Sequence, residues 1–214
     1  MTIKADYSAF DGIIFDVDGT LWDSTPVVAD AYNITFEKEG VNKRVTADDL
    51  KHLFGKPMDV IFEQLFPETD KETRQSLADK ALALENELLA KNYAEYYPQT
   101  RETLLRLSKR LPLFIVSNCQ SGYIESFFEG HGTSYLFKDI ECYGNTGLSK
   151  GENIKLIIER NGLKNAVYTG DTQGDADAAS FAGIPFIYAA YGFGNVQEYD
   201  YKLEKFADME EIFL

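Results

Sequence analysis

Four short, uninterrupted apolar runs are the feature that most limits how this chain can fold. They occupy residues 12–15, 113–116, 166–168 and 185–188. Runs of this length are typical of strands that are covered on both faces, as in a parallel sheet. Helical patterns lie between and around them, at residues 101–111, 122–128, 151–161 and 175–182. The alternation predicts an α/β fold whose core is a Rossmann-like, doubly wound parallel sheet.

The long segment between the first two apolar runs has the pattern of helices only. Its start and stop residues predict helices from Ser24 or Thr25 to Gly40, from Thr46 to Gly55, from Pro57 to before Pro67, and from Lys71 to Tyr96. The last of these is amphipathic and places Leu77, Ala81, Leu84 and Leu88 on one face. We therefore predict an α/β core formed by residues 1–22 and 98–214, interrupted after its first strand by a helical domain of residues 23–97.

The charge balance excludes several classes of function. The 214 residues include 35 acidic and 21 basic side chains, for a net charge of −14. Such a chain repels nucleic acid and anionic membranes, although a local site can still bind one anionic substrate. Residues 1–8 lack the apolar segment of a signal peptide, and no apolar run approaches the roughly 20 residues that span a bilayer. We expect a soluble, cytoplasmic protein with no nucleic-acid or membrane partner.

Polar and acidic residues follow three of the predicted strands. Ligands of parallel α/β sheets bind beyond the carboxyl ends of the strands, so these residues are the candidates for a site. Asp16 and Asp18 follow the first strand, and Ser117 and Asn118 follow the second. The third strand leads into residues 169–175, which include two further aspartates. The pattern predicts that these side chains converge at one edge of the sheet.

The four aspartates have the composition of a magnesium site. Asp16 and Asp18, if both stand at the strand end, repel each other, and a hard divalent cation relieves that repulsion. Asp171 and Asp175 add two more carboxylates from another strand. An Asp-Gly turn after a strand is common without any metal. The second pair of acids is what favours a site that binds Mg²⁺ through Asp16, Asp18, Asp171 and Asp175.

Mg²⁺ beside a free carboxylate favours phosphoryl transfer. An aspartate can attack phosphorus and form an aspartyl-phosphate, which divides one difficult displacement into two steps. Ser117 and Asn118 could donate hydrogen bonds to phosphoryl oxygens, or could simply cap a helix. Lys150, at the start of a predicted helix, could oppose the developing negative charge, or could be a solvated surface lysine.

Taken together, these segments resemble the four motifs of the haloacid dehalogenase superfamily. The motifs are matched in order by residues 16–20, 117–118, 150 and 170–175, and the resemblance covers nearly the whole chain. The resemblance implies a hydrolase with an α/β core. It also implies that residues 23–97 form a small helical cap, as in members similar to phosphoglycolate phosphatase and β-phosphoglucomutase.

The resemblance also implies a role for each matched residue. Asp16 would be the nucleophile, and Asp18 would be the general acid and base. Ser117 would bind the phosphoryl group with Asn118 beside it, and Lys150 would stabilise both the nucleophile and the phosphate. Mg²⁺ would be held directly by Asp171, by Asp16 and by the Asp18 carbonyl, with Asp175 in support.

Three positions refine this prediction. The carboxylate of Asp18 implies phosphate chemistry, because the true dehalogenases of the superfamily lack a carboxylate there. Thr20 is more similar to the phosphatases than to the mutases. Gly151 follows Lys150, whereas many sequences similar to phosphoglycolate phosphatase have a proline at that position, which weakens the transfer of a particular substrate.

The sequence thus predicts a Mg²⁺-dependent phosphatase that hydrolyses a small phosphorylated metabolite through an aspartyl-phosphate. The alternatives are a phosphosugar mutase of the same superfamily and a catalytically silent binding or regulatory protein with this fold. The identity of the substrate, the cap residues that contact it and the oligomeric state stay open.

Several residues outside the four motifs are expected to have mainly structural roles. Lys56, in the helical segment, could contact an anionic part of the substrate, or could be a solvated turn residue. Trp22 is expected to pack, and Cys119, which has no paired histidine, is expected to be a small buried residue. We expect residues 192–194 to be a core loop, and residues 198–211 to be a solvated face followed by a terminal helix.

Overall fold

The computed structural model describes residues 10–91 and 94–214, in which the strands form one parallel sheet. The strands are β1 (Gly12–Phe15), β2 (Leu113–Ser117), β3 (Phe137–Cys142), β4 (Ala166–Gly170), β5 (Phe186–Ala189) and β6 (Tyr201–Leu203). Their order is β3-β2-β1-β4-β5-β6, so β1 lies between β2 and β4. The prediction of an α/β fold with a parallel sheet is confirmed. The prediction about residues 1–8 lies outside the described residues.

Helices connect the strands and cover both faces of the sheet. They are α1 (Thr25–Lys38), α2 (Ala47–Lys51), α3 (Met58–Leu65), α4 (Lys71–Ala90), α5 (Thr100–Leu107), α6 (Tyr123–His131), α7 (Tyr143–Thr146), α8 (Lys150–Asn161), α9 (Gln173–Ala182) and α10 (Met209–Phe213). Within the described ranges, none of them is long and apolar enough to cross a membrane.

The central strand shows why the apolar runs are continuous. Successive side chains of a strand point to opposite faces of its sheet. Ile13 and Phe15 belong to the apolar cluster on one face, and Ile14 belongs to the cluster on the other face. All three are completely buried. A strand that is covered on both sides has no position for a polar residue until it ends.

The helices between β1 and β2 have an apolar cluster of their own. Val28, Tyr32 and Phe36 of α1 pack in this cluster with Phe62 of α3 and Ala81 of α4. The cluster is separate from the two that cover the sheet. The observed packing agrees with a helical unit inserted after β1, while the exact boundaries at residues 23 and 97 stay a prediction.

Two strands of the sheet escape the sequence analysis. β3 lies at one edge, and only its last two residues are fully buried, so it lacks a continuous apolar run. β6 is three residues long and lies at the other edge, within the segment expected to be a solvated face. The expectation of a solvated face is wrong, because Leu203, Phe206 and Met209 are buried in the core, whereas the expected terminal helix is present as α10.

The end of α4 also differs from the expectation. The helix ends at Ala90, not at Tyr96. Tyr96 instead forms an antiparallel bridge with Trp22, and its ring lies 4.2 Å from the ring of His131. Tyr96 therefore packs beside Trp22 and His131 and does not extend the helix.

Candidate active site

The carboxyl ends of β1, β2 and β4 bring three predicted site residues to one place. Asp16 directly follows β1, and its N–H donates to the carbonyl of Thr169 in β4 at 2.9 Å, which continues the strand pairing. Ser117 is the last residue of β2, and Asp171 directly follows β4. All three site residues are buried. The order of the strands therefore places these three polar side chains together at the end of the apolar core.

A buried lysine connects two of the carboxylates. Nζ of Lys150 lies 3.1 Å from Oδ1 of Asp16 and donates to Oδ1 of Asp175 at 2.6 Å. The three side chains are at most 4% exposed. Ser149 caps α8 through a capping box with Glu152, which makes Lys150 the first residue of the helix. Lys150 is therefore not a solvated surface lysine, since it compensates buried negative charge.

Asp175 is held by both of its oxygens. Thr172 caps α9, and the capping box turns the Asp175 side chain back, where Oδ2 accepts hydrogen bonds from the N–H and hydroxyl of Thr172. The N–H of Asp171 also donates to Oδ2, and Lys150 occupies Oδ1. Burial works against the charged form, but Lys150 and Thr172 outweigh it and lower the pKa of Asp175. Asp175 is therefore an ionised anchor for Lys150.

The carboxylates of Asp16 and Asp171 are less well compensated. Burial raises the pKa of Asp16 to about 7, with Lys150 opposing the shift and Asp175 adding to it. Burial also raises the pKa of Asp171 well above its usual range, and Asp175 and Asp16 raise it further. Oδ2 of Asp171 accepts from the N–H of Phe193 at 2.7 Å, but Oδ1 has no hydrogen-bond partner among the described residues.

The three acids fit a divalent cation. Asp16, Asp171 and Asp175 each offer an oxygen, and these oxygens lie within 4.8 Å of one another. One lysine faces three buried carboxylates, so negative charge is in excess. An unpaired carboxylate oxygen in such a place is the kind of ligand that Mg²⁺ prefers. Asp16 and Asp171 are the residues with ligand capacity left, since both oxygens of Asp175 are already engaged.

Asp18 has a different environment from the other acids. Its Oδ1 accepts hydrogen bonds from Nε1 of Trp22 at 2.9 Å, from the hydroxyl of Ser24, and from the hydroxyl of Tyr123 at 2.6 Å. Burial raises the pKa of Asp18 to about 6, and the three donors oppose that shift. A carboxyl group that titrates near neutral pH and is fixed by several donors can exchange a proton with a substrate.

A cavity opens between the sheet end and the helical segment. Its volume open to the centre of a water-sized sphere is about 20 Å³, within about 350 Å³ of non-atom space that includes its open mouth. Its lining consists of Asp16, Asp18, Phe54, Gly55, Lys56, Met58, Ile61, Glu85, Ser117, Asn118, Cys119, Gln120 and Tyr123. The strand ends and the inserted helices thus share one pocket.

The loop before α3 closes one side of this pocket. Nδ2 of Asn118 donates to the carbonyl of Gly55 at 2.7 Å, so the second polar residue after β2 contacts the helical segment. Lys56 lines the pocket, and its ammonium donates to Oε1 of Gln64 at 3.1 Å.

Comparison with known proteins agrees with this geometry. The family model for haloacid dehalogenase-like hydrolases matches residues 13–189. The chain belongs to this family. Its phosphatase relatives include proteins named phosphoglycolate phosphatase from Aliivibrio fischeri, 26% identical over 86% of this chain and 85% of the relative, and from Synechococcus elongatus, 29% identical over 86% of each. The prediction of an enzyme of the phosphoric monoester hydrolase type is confirmed.

Solved structures of the haloacid dehalogenase-like fold cover almost the whole chain. A haloacid dehalogenase-like hydrolase from Bacteroides fragilis is 26% identical, covers 94% of this chain and 99% of its own, and has a TM-score of 0.81. CbbY from Rhodobacter sphaeroides, solved in complex with phosphate, has a TM-score of 0.81 over 94% of this chain and 96% of its own. At 18% identity it shows a shared fold alone.

The structure of this haloacid dehalogenase-like hydrolase brings most of the predicted site residues together. Asp16, Lys150, Asp171 and Asp175 form one buried cluster. The carboxylate of Asp18 stands apart from that cluster and bonds to residues outside it. Ser117 and Asn118 line the same pocket, with Asn118 bonded to the loop before α3. Trp22 and Cys119 are buried as expected, and Trp22 also orients Asp18.

The sequence analysis missed three parts of the site. Glu85 of α4 and Tyr123 of α6 line the pocket, and the loop at 192–194 supports Asp171. A Cβ on Gly192 would overlap the side chain of Asp171 and the carbonyl of Gly19, so this loop is more than core packing. A signal existed for Glu85: it lies four residues after Ala81, on the buried face of an amphipathic helix, where an acidic residue is unusual.

Proposed function

We propose that this protein is a Mg²⁺-dependent phosphatase that hydrolyses a small phosphorylated metabolite through an aspartyl-phosphate on Asp16. The observation that carries the proposal is the buried cluster in which Lys150 bridges Asp16 and Asp175 while Asp171 keeps an unpaired oxygen. Relatives named phosphoglycolate phosphatase support the reaction type. They also make phosphoglycolate the first comparison substrate.

Asp16 is the proposed nucleophile. It lies beside Lys150, whose positive charge stabilises the ionised carboxylate that attacks phosphorus. The hydroxyl of Ser117, which lines the same pocket, donates to a phosphoryl oxygen. The O–P bond of the substrate breaks as the bond between Asp16 and phosphorus forms. Lys150 offsets the negative charge that accumulates on the transferring group.

Asp18 is the proposed general acid and base. In the first step its protonated carboxyl donates a proton to the oxygen of the leaving alcohol. In the second step the resulting carboxylate takes a proton from water, which attacks the phosphorus bound to Asp16. Inorganic phosphate leaves, and both aspartates return to their starting states. The hydrogen bonds from Trp22, Ser24 and Tyr123 hold the Asp18 carboxyl in position for both transfers.

Asp16 and Asp171 are the residues that would hold Mg²⁺, with Asp175 in support. A bound Mg²⁺ supplies positive charge to the phosphoryl oxygens and screens the repulsion between the substrate and the acidic cluster. With or without Mg²⁺, Lys150 and the N–H groups of Asp171 and Thr172 hold the Asp175 carboxylate in the cluster.

Residues 23–97 act as a cap over an α/β core formed by residues 1–22 and 98–214. The contact between Asn118 and Gly55 corresponds to a closed cap. A closed cap excludes bulk water from the reacting group and leaves room only for a small leaving group. This is why we propose a phosphorylated metabolite as the substrate, and not a phosphoprotein.

The test is hydrolysis of p-nitrophenyl phosphate by the purified protein with and without Mg²⁺. We expect EDTA to abolish release of inorganic phosphate, Mg²⁺ to restore it, and Asp16→Asn to remove it without loss of fold. Asp177→Asn is the matched control, because Asp177 is exposed on α9. Normal turnover by the Asp16→Asn variant would rule out the nucleophile assignment. Isomerisation of a sugar phosphate without phosphate release would favour a mutase.

A further inference from the structure

Glu85 is a buried acidic residue for which the proposed reaction has no use. It projects from α4 into the pocket that also contains Asp16, and its side chain is almost inaccessible to solvent. Oε1 accepts a hydrogen bond from Nε2 of Gln120 at 3.0 Å. Oε2 accepts none of good geometry from the described residues, although the Tyr32 hydroxyl is close enough to lower the pKa of the carboxyl. One oxygen of Glu85 is thus buried beside the reaction centre without a well-formed hydrogen bond from the described residues.

Gln120, which faces Glu85 from the core, also has a buried side-chain oxygen that accepts no well-formed hydrogen bond from the described residues. Its Nε2 donates to Oε1 of Glu85 and to Oδ1 of Asn86, at 3.0 and 3.1 Å. Its Oε1 is buried and has no hydrogen-bond partner within the described ranges. Buried polar atoms are rarely left unpaired, because the loss of hydration is then uncompensated. Two buried oxygens on facing residues of one pocket thus lack a well-formed hydrogen bond from the described residues, which favours a ligand that brings hydrogen-bond donors.

We propose that Glu85 and Gln120 recognise a hydroxyl group on the leaving alcohol, so that the substrates are small hydroxyalkyl or polyol phosphates and not carboxylate-bearing esters such as phosphoglycolate. This inference rests on the proposed phosphatase function. It assigns the cap residue Glu85 and the core residue Gln120 jointly to substrate selection.

A carboxylate is a poor match for this part of the pocket. It has no donor for Oε1 of Gln120, and it adds an anion to a pocket that already contains the acidic residues Asp16 and Asp18. Lys56 contributes a cation to the lining, but its ammonium is bonded to Gln64 at 3.1 Å. A hydroxyl both donates and accepts, so it matches the Glu85 carboxyl in either protonation state.

An ammonium group is also a weaker match than a hydroxyl. Apolar walls from Phe54, Met58 and Ile61 line the pocket, and a cation loses hydration there. Burial raises the pKa of Glu85 to about 8, so near neutral pH its carboxyl is mostly uncharged and is a poor counterion.

A series of four phosphate esters, each with two carbons in its alcohol part, tests the proposal. Ethyl phosphate, 2-hydroxyethyl phosphate, O-phosphoethanolamine and phosphoglycolate share one scaffold and differ only in the terminal group. We expect kcat/KM with Mg²⁺ to be at least about 10-fold higher for 2-hydroxyethyl phosphate than for ethyl phosphate, and lowest for phosphoglycolate. A preference for phosphoglycolate or for phosphoethanolamine would overturn the hydroxyl assignment. Failure to hydrolyse any phosphomonoester would instead overturn the proposed function.

Variants of Glu85 test whether this residue causes the preference. Glu85→Gln keeps the shape of the uncharged carboxyl, with one acceptor and one donor, and we expect it to keep most of the ratio of kcat/KM for 2-hydroxyethyl phosphate over ethyl phosphate. Glu85→Leu keeps no acceptor and should abolish the preference while ethyl phosphate is still hydrolysed. Glu87→Gln, an exposed change on the same helix, is the control. An unchanged ratio in Glu85→Leu would refute the role of this residue, and the wild-type series decides the substrate class even if Glu85→Leu does not fold.

Discussion

The buried carboxyl of Glu85 makes a quantitative prediction about stability. Burial raises its pKa from 4.5 to about 8, opposed by a hydrogen bond from Gln120. The folded state therefore binds this proton more tightly than the unfolded state does. The contribution of this bound proton to the free energy of unfolding is complete below pH 4.5 and is lost as the pH rises to about 8. Since one pH unit corresponds to about 1.4 kcal/mol, ionisation of Glu85 costs the folded protein up to about 5 kcal/mol.

Glu85→Gln removes this titration and keeps the shape of the side chain. We expect the free energy of unfolding of the variant to exceed that of the wild type by a margin that grows from pH 5 to pH 8.5, to a limit of about 5 kcal/mol. Urea denaturation in EDTA at a series of pH values measures the margin without a contribution from bound Mg²⁺.

Asp16 and Asp18 titrate in the same pH range, with pKa values of about 7 and about 6, and they are present in both proteins. The difference between the two curves therefore reports the titration of Glu85 together with its repulsion from Asp18. Glu87→Gln should follow the wild type. Parallel curves for wild type and Glu85→Gln would refute the reasoning, because they would show that the buried carboxyl does not hold its proton through this range.

Three further predictions concern the core side of the site. Lys150→Met leaves two buried carboxylates without their cation, and we expect it to lower the free energy of unfolding in EDTA by about 3–5 kcal/mol, as measured by urea denaturation. Tyr123→Phe removes a donor that lowers the pKa of Asp18, so the pKa of Asp18 should rise in the variant. The alkaline limb of the profile of kcat/KM against pH should then move to higher pH, and an unmoved limb would contradict the general-acid role of Asp18. Gly192→Ala should weaken Mg²⁺ activation at least about 10-fold, because the added Cβ overlaps the side chain of Asp171. Gly174→Ala, whose added Cβ has its nearest neighbour at 3.6 Å, should be activated by Mg²⁺ like the wild type.

The motif residues were predictable because each is tied to local structure. Asp16 and Asp171 come directly after runs that are apolar on both faces, and parallel strands deliver their carboxyl ends to the same edge. Lys150 follows a serine that caps its helix, so its position at the helix start is also encoded nearby.

Other parts of the site depend on packing between distant segments. β3 and β6 lie at the edges of the sheet and lack continuous apolar runs, so their pairing partners decide that they are strands. The contact of Tyr123 with Asp18 joins residues 105 positions apart, and that of Gln120 with Glu85 joins residues 35 apart. Neither contact leaves a periodic signal in the chain.

The amino-acid sequence alone determined the class of fold and the acidic cluster at the sheet edge, because strand burial and helix capping act over a few neighbouring residues. Only the tertiary structure decided that Lys150 bridges Asp16 and Asp175, and that the buried carboxyl of Glu85 lines the same pocket as Asp16. These facts depend on how α4 packs over the end of the sheet, and burial there sets both the charge state and the hydrogen-bonding needs of each carboxyl group.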